Sequence, residues 1–453
     1  MTRRLLTLLA LAACEPGARP PETPTPSAPP APTPPAGPTP RARPHTAVRS
    51  CPVAAPTTNK NKPAPIQFDP RINLGDIDGV SWLFGYAAGD AVLAHLAPDS
   101  TLATIKVPLH NAQAGAIDGS KIWLYAPKES NDVPTRWTAI DVSDPDRPVT
   151  GDVVPLTVGA RLDYADALAV GPRRALVITG VPDERELVLL DPATRAAVAP
   201  PQTLGKGFEP VHAFCADDRC SVVAIADEGG GPTRRLVVVR VLADGAREQE
   251  LLAPDWIGQP HAAELADEVI VAWPEREGLK IRALDLWGRP RGPATPVPWD
   301  SKKYIRHTNL LASHAGVVLA IGERERWSVT TIGPGAVPGP LREIPASPRY
   351  FLVGAPLDDG LAWINLGGDV SYEELGRGVM THFWQAEAVG GFLPTTGDPT
   401  PPLPVGSGSG GGRGGLEPFV LTRPGAAAAL LVPRGDADNF SDPSFTPLRT
   451  LCP

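Results

Sequence analysis

The chain has 453 residues, of which 42% are apolar and 20% charged, and a formal net charge of −8. That length is enough for two or three average domains or one large repeat fold, with a large core in either case. The acidic balance comes without any basic face or basic run, which argues against nucleic acid as a partner.

The chain opens with Arg3 and Arg4, a short apolar run from Leu5 to Ala10, and then Leu11-Ala12-Ala13-Cys14. A basic start, an apolar core of about nine residues and small residues after it are the marks of a secretory signal. A membrane-spanning helix needs roughly 20 residues, so this segment targets the chain and does not span a bilayer. The order Leu11 to Cys14 resembles the lipobox of bacterial lipoprotein signal peptides. The resemblance implies that residues 1–13 are a signal peptide and that the Cys14 thiol carries a diacylglycerol. An ordinary signal peptide, cut after another small residue, is the alternative. Glu15 follows the cysteine where Asp would retain a lipoprotein at the inner membrane. The resemblance therefore implies an exported chain, lipid-anchored to the cell envelope and leaning towards the outer membrane.

Residues 14–66 read as the lipidated cysteine and a disordered tether. Stretches such as PPETPTPSAPPAPTPPAGPTP are Pro, Ala and Thr without apolar periodicity. They cannot bury enough surface to offset the entropy of ordering. Proline at this density favours the extended polyproline helix, so Glu15 to Pro44 would reach on the order of 90 Å. Such a segment is a spacer; a ligand for a proline-binding domain, or a segment threading the peptidoglycan, is the alternative.

Five cysteines leave four once Cys14 is lipidated, and an exported chain oxidises them. Cys215 and Cys220 bracket the turn Ala-Asp-Asp-Arg, which suits a local hairpin bridge. That leaves Cys51 with Cys452, a bridge that would join the two ends of the body.

From residue 67 to 453 a strand pattern recurs. The strongest strands are AVLAHL, KIWLYA, ALVITG, SVVAIAD, EVIVAW, GVVLAIG and GLAWIN. Their second residues, Val92, Ile122, Leu176, Val222, Val269, Val317 and Leu361, are 30, 54, 46, 47, 48 and 44 positions apart. Strand-rich repeats of about 40 to 50 residues point to an all-β fold, a propeller of four-stranded blades. In the fifth unit HAAELA is the inner strand, EVIVAW the second and LKIRALDLWG the third. The pattern counts seven blades, with six or eight also compatible, and FVLTRPGAAAALLVP from Phe419 supplies a strand that closes the ring. The body thus resembles the β-propellers of exported bacterial lipoproteins. A pair of β-sandwiches is the alternative architecture. Residues 395–415, which include GSGSGGGRGG, read as a flexible Gly-rich loop. SYEELGRGVM near Tyr372 is the best helix candidate, and its two glycines count against it.

In a propeller the inner strands line a central channel. His212, His261 and His307 each precede an inner strand, in VHAFCA, PHAAEL and HTNLLA, 10, 8 and 10 residues before Val222, Val269 and Val317. Asp166 has the same offset in the third unit and Tyr350 nearly so in the seventh. These five residues are the candidate ligand site at the channel mouth. Three imidazoles with an open fourth position would suit a catalytic zinc. Blade-junction hydrogen bonding is the plainer account of them. No cofactor is expected apart from that metal. DADNFSD from Asp436 has oxygen ligands at alternate positions but lacks the full calcium loop. Trp123, Trp273 and Trp363 lie in second strands, where blade packing explains them. Trp256, Trp299 and Trp384 fall in connections, where a sugar platform is the alternative. No HExxH, GxSxG or carboxylate pair names a reaction. The expected function is a binding platform for envelope proteins or glycan, held to the membrane by its lipid. The alternative is a propeller hydrolase or lyase acting on a glycan or lactone through the histidines.

Overall fold

The computed structural model describes residues 66–448 except 88–89, 128–133, 157–164, 182–183, 228–233, 255, 257, 266, 277, 300–304, 306, 314–315, 324, 347–350, 358, 375–379, 412–414 and 435–443. Cys14, Cys51, Tyr350, Cys452, the tether and the segment from Asp436 lie outside the described residues. The described residues are strands and turns, and none of their helices is long and apolar enough to cross a membrane, because none is helical.

The strands form antiparallel sheets in chain order, each strand pairing its neighbour in sequence. Seven are full propeller blades, spanning 66–106, 114–155, 165–203, 209–253, 261–296, 307–344 and 351–411. An eighth sheet of three strands, spanning 415–448, stands between blade 7 and blade 1 and closes the ring. The segment expected to close the ring with one strand therefore supplies a hairpin, Gly415–Arg423 with Ala426–Arg434, and a third strand, Ser444–Leu448, joins it. In blades 2, 3 and 6 the outer strand is split into two short pieces, both paired to the third strand. Short, interrupted outer strands blunt the exposed edges of the sheets.

The core explains the repeat. A blade is buried on both faces, so its second strand must be apolar at every position and not at alternate ones. Glu268–Glu275 shows this: Val269, Val271 and Trp273 pack towards blade 4, while Ile270 and Ala272 pack towards blade 6. Every adjacent pair of sheets shares one such apolar seam, down to Leu83 and Leu96 against Leu421, Ala428 and Leu430 at the closure. Trp273 and Trp363 are buried in these seams and Trp123 packs at the edge of one. Trp256 and Trp299 pack against two different seams, those of blades 4–5 and 5–6, and do not form one platform.

Two expectations change. AVLAHL belongs to the third strand of blade 1, Asp90–Leu96, and the second strand is Val80–Ala87. The short first interval of 30 came from comparing unlike strands; Ser81 to Ile122 is 41. The Gly-rich segment is a strand over Leu403–Gly411, paired with Met380–Pro394. Glycine keeps its backbone N–H and C=O, and a long partner strand is enough to order them into a ladder. As the glycines of SYEELGRGVM argued, its described residues are not helical: Ser371–Glu374 and Met380 lie on two strands, Gly360–Glu374 and Met380–Pro394, paired as far as Glu374 with Met380.

Candidate ligand site at the inner strands

Four of the five expected site residues are described, and each lies on an inner strand. Asp166 is in Ala165–Val170, at a register shift between Ala165 and Ala167. His212 is in Glu209–Ala216, paired with Val223. His261 opens His261–Leu265, paired with Ala272, and His307 opens His307–Ser313, paired with Gly322.

His212 and His261 reach sideways into the neighbouring blade, and Asp166 does so through Arg185 of its own blade. Asp166 accepts a hydrogen bond from Arg185 Nε, and Arg185 Nη1 donates to the carbonyl of Phe208, which leads into blade 4. Arg185 is 8% exposed, so this ion pair is shielded on the arginine side. His212 Nε2 lies 3.2 Å from Glu264 Oε1 on the inner strand of blade 5, and its ring stacks on Phe214 at 6.0 Å. His261 bonds the backbone of Thr308 on blade 6. Burial pushes its pKa down to about 4, and that hydrogen bond opposes the shift only in part. Thr308 Oγ1 in turn donates to the Gln259 carbonyl at 3.4 Å. His307 lies 6.4 Å from the Trp327 ring. The same arrangement recurs with linking residues other than histidine. The Gln113 side-chain oxygen accepts from the Ala165 N–H at 3.0 Å, and Asn309 Nδ2 donates to the Leu352 carbonyl at 3.0 Å.

The inner strands are thus laced blade to blade by single polar links. Among the described residues no group of three or more His, Cys, Asp or Glu is placed to hold a metal ion. The physical reason is the ring itself. Neighbouring inner strands are near enough for a side chain of one to reach the next, and His212 and His261 find their partners there. Glu264, Arg185, Gln113 and Asn309 were not singled out from the sequence. Gln113 and Asn309 carried a signal, a polar residue near the start of an inner strand, whereas Arg185, between the second and third strands of blade 3, and Glu264, near the end of its strand, carried none.

The Cys215–Cys220 disulfide is formed, between directly opposed residues of the blade 4 hairpin. Asp217 supplies the left-handed turn residue, with φ 53°.

No protein-family model matches the chain, and no curated protein matches it at a significant level. Solved structures with a similar outline include Hsv2 from Kluyveromyces lactis, 13% identical, with 70% of this chain and 96% of that chain covered and a TM-score of 0.38. Apo AztD from Citrobacter koseri is 10% identical, with 79% and 93% covered and a TM-score of 0.43. A prolyl endopeptidase is 15% identical, with 83% of this chain but 54% of that chain covered and a TM-score of 0.41. None of these likenesses transfers an activity to the chain; its propeller architecture rests on its own sheet topology.

Proposed function

We propose that the chain is an exported lipoprotein, anchored at Cys14 to the cell envelope and leaning to the outer membrane, whose propeller is a binding platform for envelope proteins or glycan. The observation that supports this reading is the use made of the inner-strand polar groups. His212 and His261 each join one blade to the next, and Asp166 holds Arg185, which reaches the Phe208 carbonyl leading into blade 4. Groups tied up in this way stiffen a ring, and a stiff ring suits a platform. Export is supported by the Cys215–Cys220 bond, because such bonds persist in oxidising compartments. Two acyl chains would hold the chain firmly, and the Pro-rich tether would set the body off the bilayer.

The test is fractionation and acyl labelling of the full chain in a bacterial host. Wild type is expected in the membrane fraction carrying labelled fatty acid. Cys14→Ala is expected to lose the label and the membrane association together. An unlabelled wild-type protein, or a Cys14→Ala protein that stays on the membrane, defeats the reading. Cross-linking of the anchored protein then identifies what the platform holds.

A further inference from the structure

The closing sheet is one strand short of its neighbours. Each of the seven blades has an outer strand beyond its third. Ser444–Leu448, the third strand of the closing sheet, pairs only with Ala426–Arg434 among the described residues. Backbone N–H and C=O groups along its other edge are fitted to receive a further strand. Pro447 has no N–H, so the strand that fits is a short one, like the outer strands of blades 2, 3, 5 and 6.

The path of the chain says which segment belongs there. Around the ring, each outer strand leads through a short connection into the inner strand of the next sheet. The connections are residues 107–113, 156–164, 204–208, 254–260, 297–306, 345–350 and 412–414, three to ten residues each. Blade 1 follows the closing sheet, and its inner strand opens at Ile66. An outer strand of the closing sheet on the same path is therefore the chain just before Ile66. Counting back three to ten residues ends that strand between residues 55 and 62.

The sequence there matches the outer strands of this ring. Those include Val154–Pro155, Ala196–Ala197, Thr295–Pro296 and Val337–Pro338. Residues 53–56 are VAAP, made of the same residues, and residues 57–65, TTNKNKPAP, have the polar make-up of a connection. Proline is tolerated in such a strand because an edge strand needs donors on one side only.

The other end of the segment meets the same test. An antiparallel outer strand begins where the third strand finishes. In the blades, turns of three to nine residues make that join, from residues 334–336 to residues 286–294. Here Cys452 lies four residues past Leu448, and Cys51 lies two residues before Val53. Residues 449–452 and 51–52 together number six, so a disulfide fits the place of the turn.

We propose that residues 53–56 dock on the free edge of Ser444–Leu448 as the outer strand of the closing sheet, with a Cys51–Cys452 disulfide in place of the turn between them. The two thiols lose two protons, and their two electrons pass to a disulfide oxidant, which leaves as a dithiol. The same oxidation has joined Cys215 to Cys220. Closure of the ring is then completed by chain from both ends, in an oxidising compartment. This goes beyond the platform reading and does not depend on the anchor at Cys14.

Non-reducing peptide mapping and hydrogen exchange of the full chain in detergent micelles test it. A peptide joined through Cys51 and Cys452 is expected, with slow exchange over residues 53–56 and 444–448. Ala54→Pro/Ala55→Pro removes a ladder donor whichever of the two faces the edge. It is expected to keep the disulfide and to speed exchange of residues 444–448 about tenfold, as for one lost hydrogen bond. Cys51→Ser/Cys452→Ser is expected to speed exchange of both segments and to lower the melting temperature. An intact Cys215–Cys220 bond and slow exchange in blades 3 to 5 show that the variants are folded. Absence of the joined peptide overturns the proposal, as does a joined peptide with fast exchange over residues 53–56. Equal exchange of residues 444–448 in wild type and the proline variant also overturns it. Slow exchange over residues 449–453 in place of 53–56 makes the returning chain the occupant instead. Protection that is lost on dilution assigns the edge to a second copy, and either result overturns the docking of residues 53–56.

Discussion

Ser81 Oγ and Thr422 Oγ1 lie 2.6 Å apart across the seam between blade 1 and the closing sheet, 341 residues apart in the chain. The Thr422 N–H also donates to Ser81 Oγ, at 3.2 Å. Both residues are buried, and the leucines and alanine of the closure seam surround them. This is where the two ends of the described ring meet. Ser81→Ala strands the Thr422 hydroxyl and N–H in an apolar seam, and is expected to cost about 1–3 kcal/mol. Adding Thr422→Val removes one stranded group, so the double variant is expected to lose less than the sum of the singles. Urea unfolding of the four proteins of the cycle reads this directly. Additive losses would show that the two hydroxyls do not act together.

Gly288 sets the angle at which blade 5 meets blade 4. A Cβ there would lie 2.8 Å from Ser221 Oγ and 2.9 Å from Val238 Cγ2, and its φ of +75° is in the left-handed region. Gly205 has a similar φ of +83° but open space around it. Gly205→Ala is therefore expected to cost about 1 kcal/mol, from backbone alone, and Gly288→Ala about 1–3 kcal/mol more from overpacking. Equal losses in a thermal melt would mean that the turn can shift away from blade 4 freely.

His261 gives the fold a defined sensitivity to acid. Its pKa in the folded chain, about 4, is below the ordinary 6.5 of the unfolded one. Above pH 6.5 both states are neutral there and nothing is lost. As the pH falls below 6.5, the unfolded chain takes up a proton that the folded one refuses, and stability drops until about pH 4. The total is on the order of 2–3 kcal/mol. His95, lowered by burial, adds in the same direction. His261→Gln is expected to flatten the pH dependence between 6.5 and 4 relative to wild type. Parallel curves for the two proteins would assign the acid sensitivity elsewhere.

The Cys215–Cys220 bond closes a loop of sequence separation 5. By the loop-entropy account a closure this short contributes roughly 2 kcal/mol. Cys215→Ala/Cys220→Ala is expected to lower the unfolding midpoint by that amount, and a reducing agent to have no further effect on it. Gly171 of blade 3 comes within 3.2 Å of the Cys215 carbonyl if given a Cβ, so the hairpin also abuts its neighbour. A loss far beyond the expected one would mean that the bond also holds the blade 3–blade 4 contact.

The repeat, the strand class and the hairpin disulfide were legible in the residues alone, because each depends on local facts. A second strand buried on both faces must be apolar throughout, and runs such as EVIVAW and GVVLAIG announce that burial without reference to any partner. Cysteines that flank a tight turn fall opposite each other whatever the rest of the chain does. The tertiary structure decided what depends on a second, distant residue. Glycines from Leu403 to Gly411 carry no pattern of their own, and their strand exists because Met380–Pro394 is long enough to pair with it. The positions of His212, His261 and His307 marked inner strands but not the direction of each ring, which for His212 and His261 is set by Glu264 and Thr308 on the next blade. Whether the ring closes with a strand or a sheet rests on Ser81 meeting Thr422, and no local pattern encodes a contact between residues so far apart.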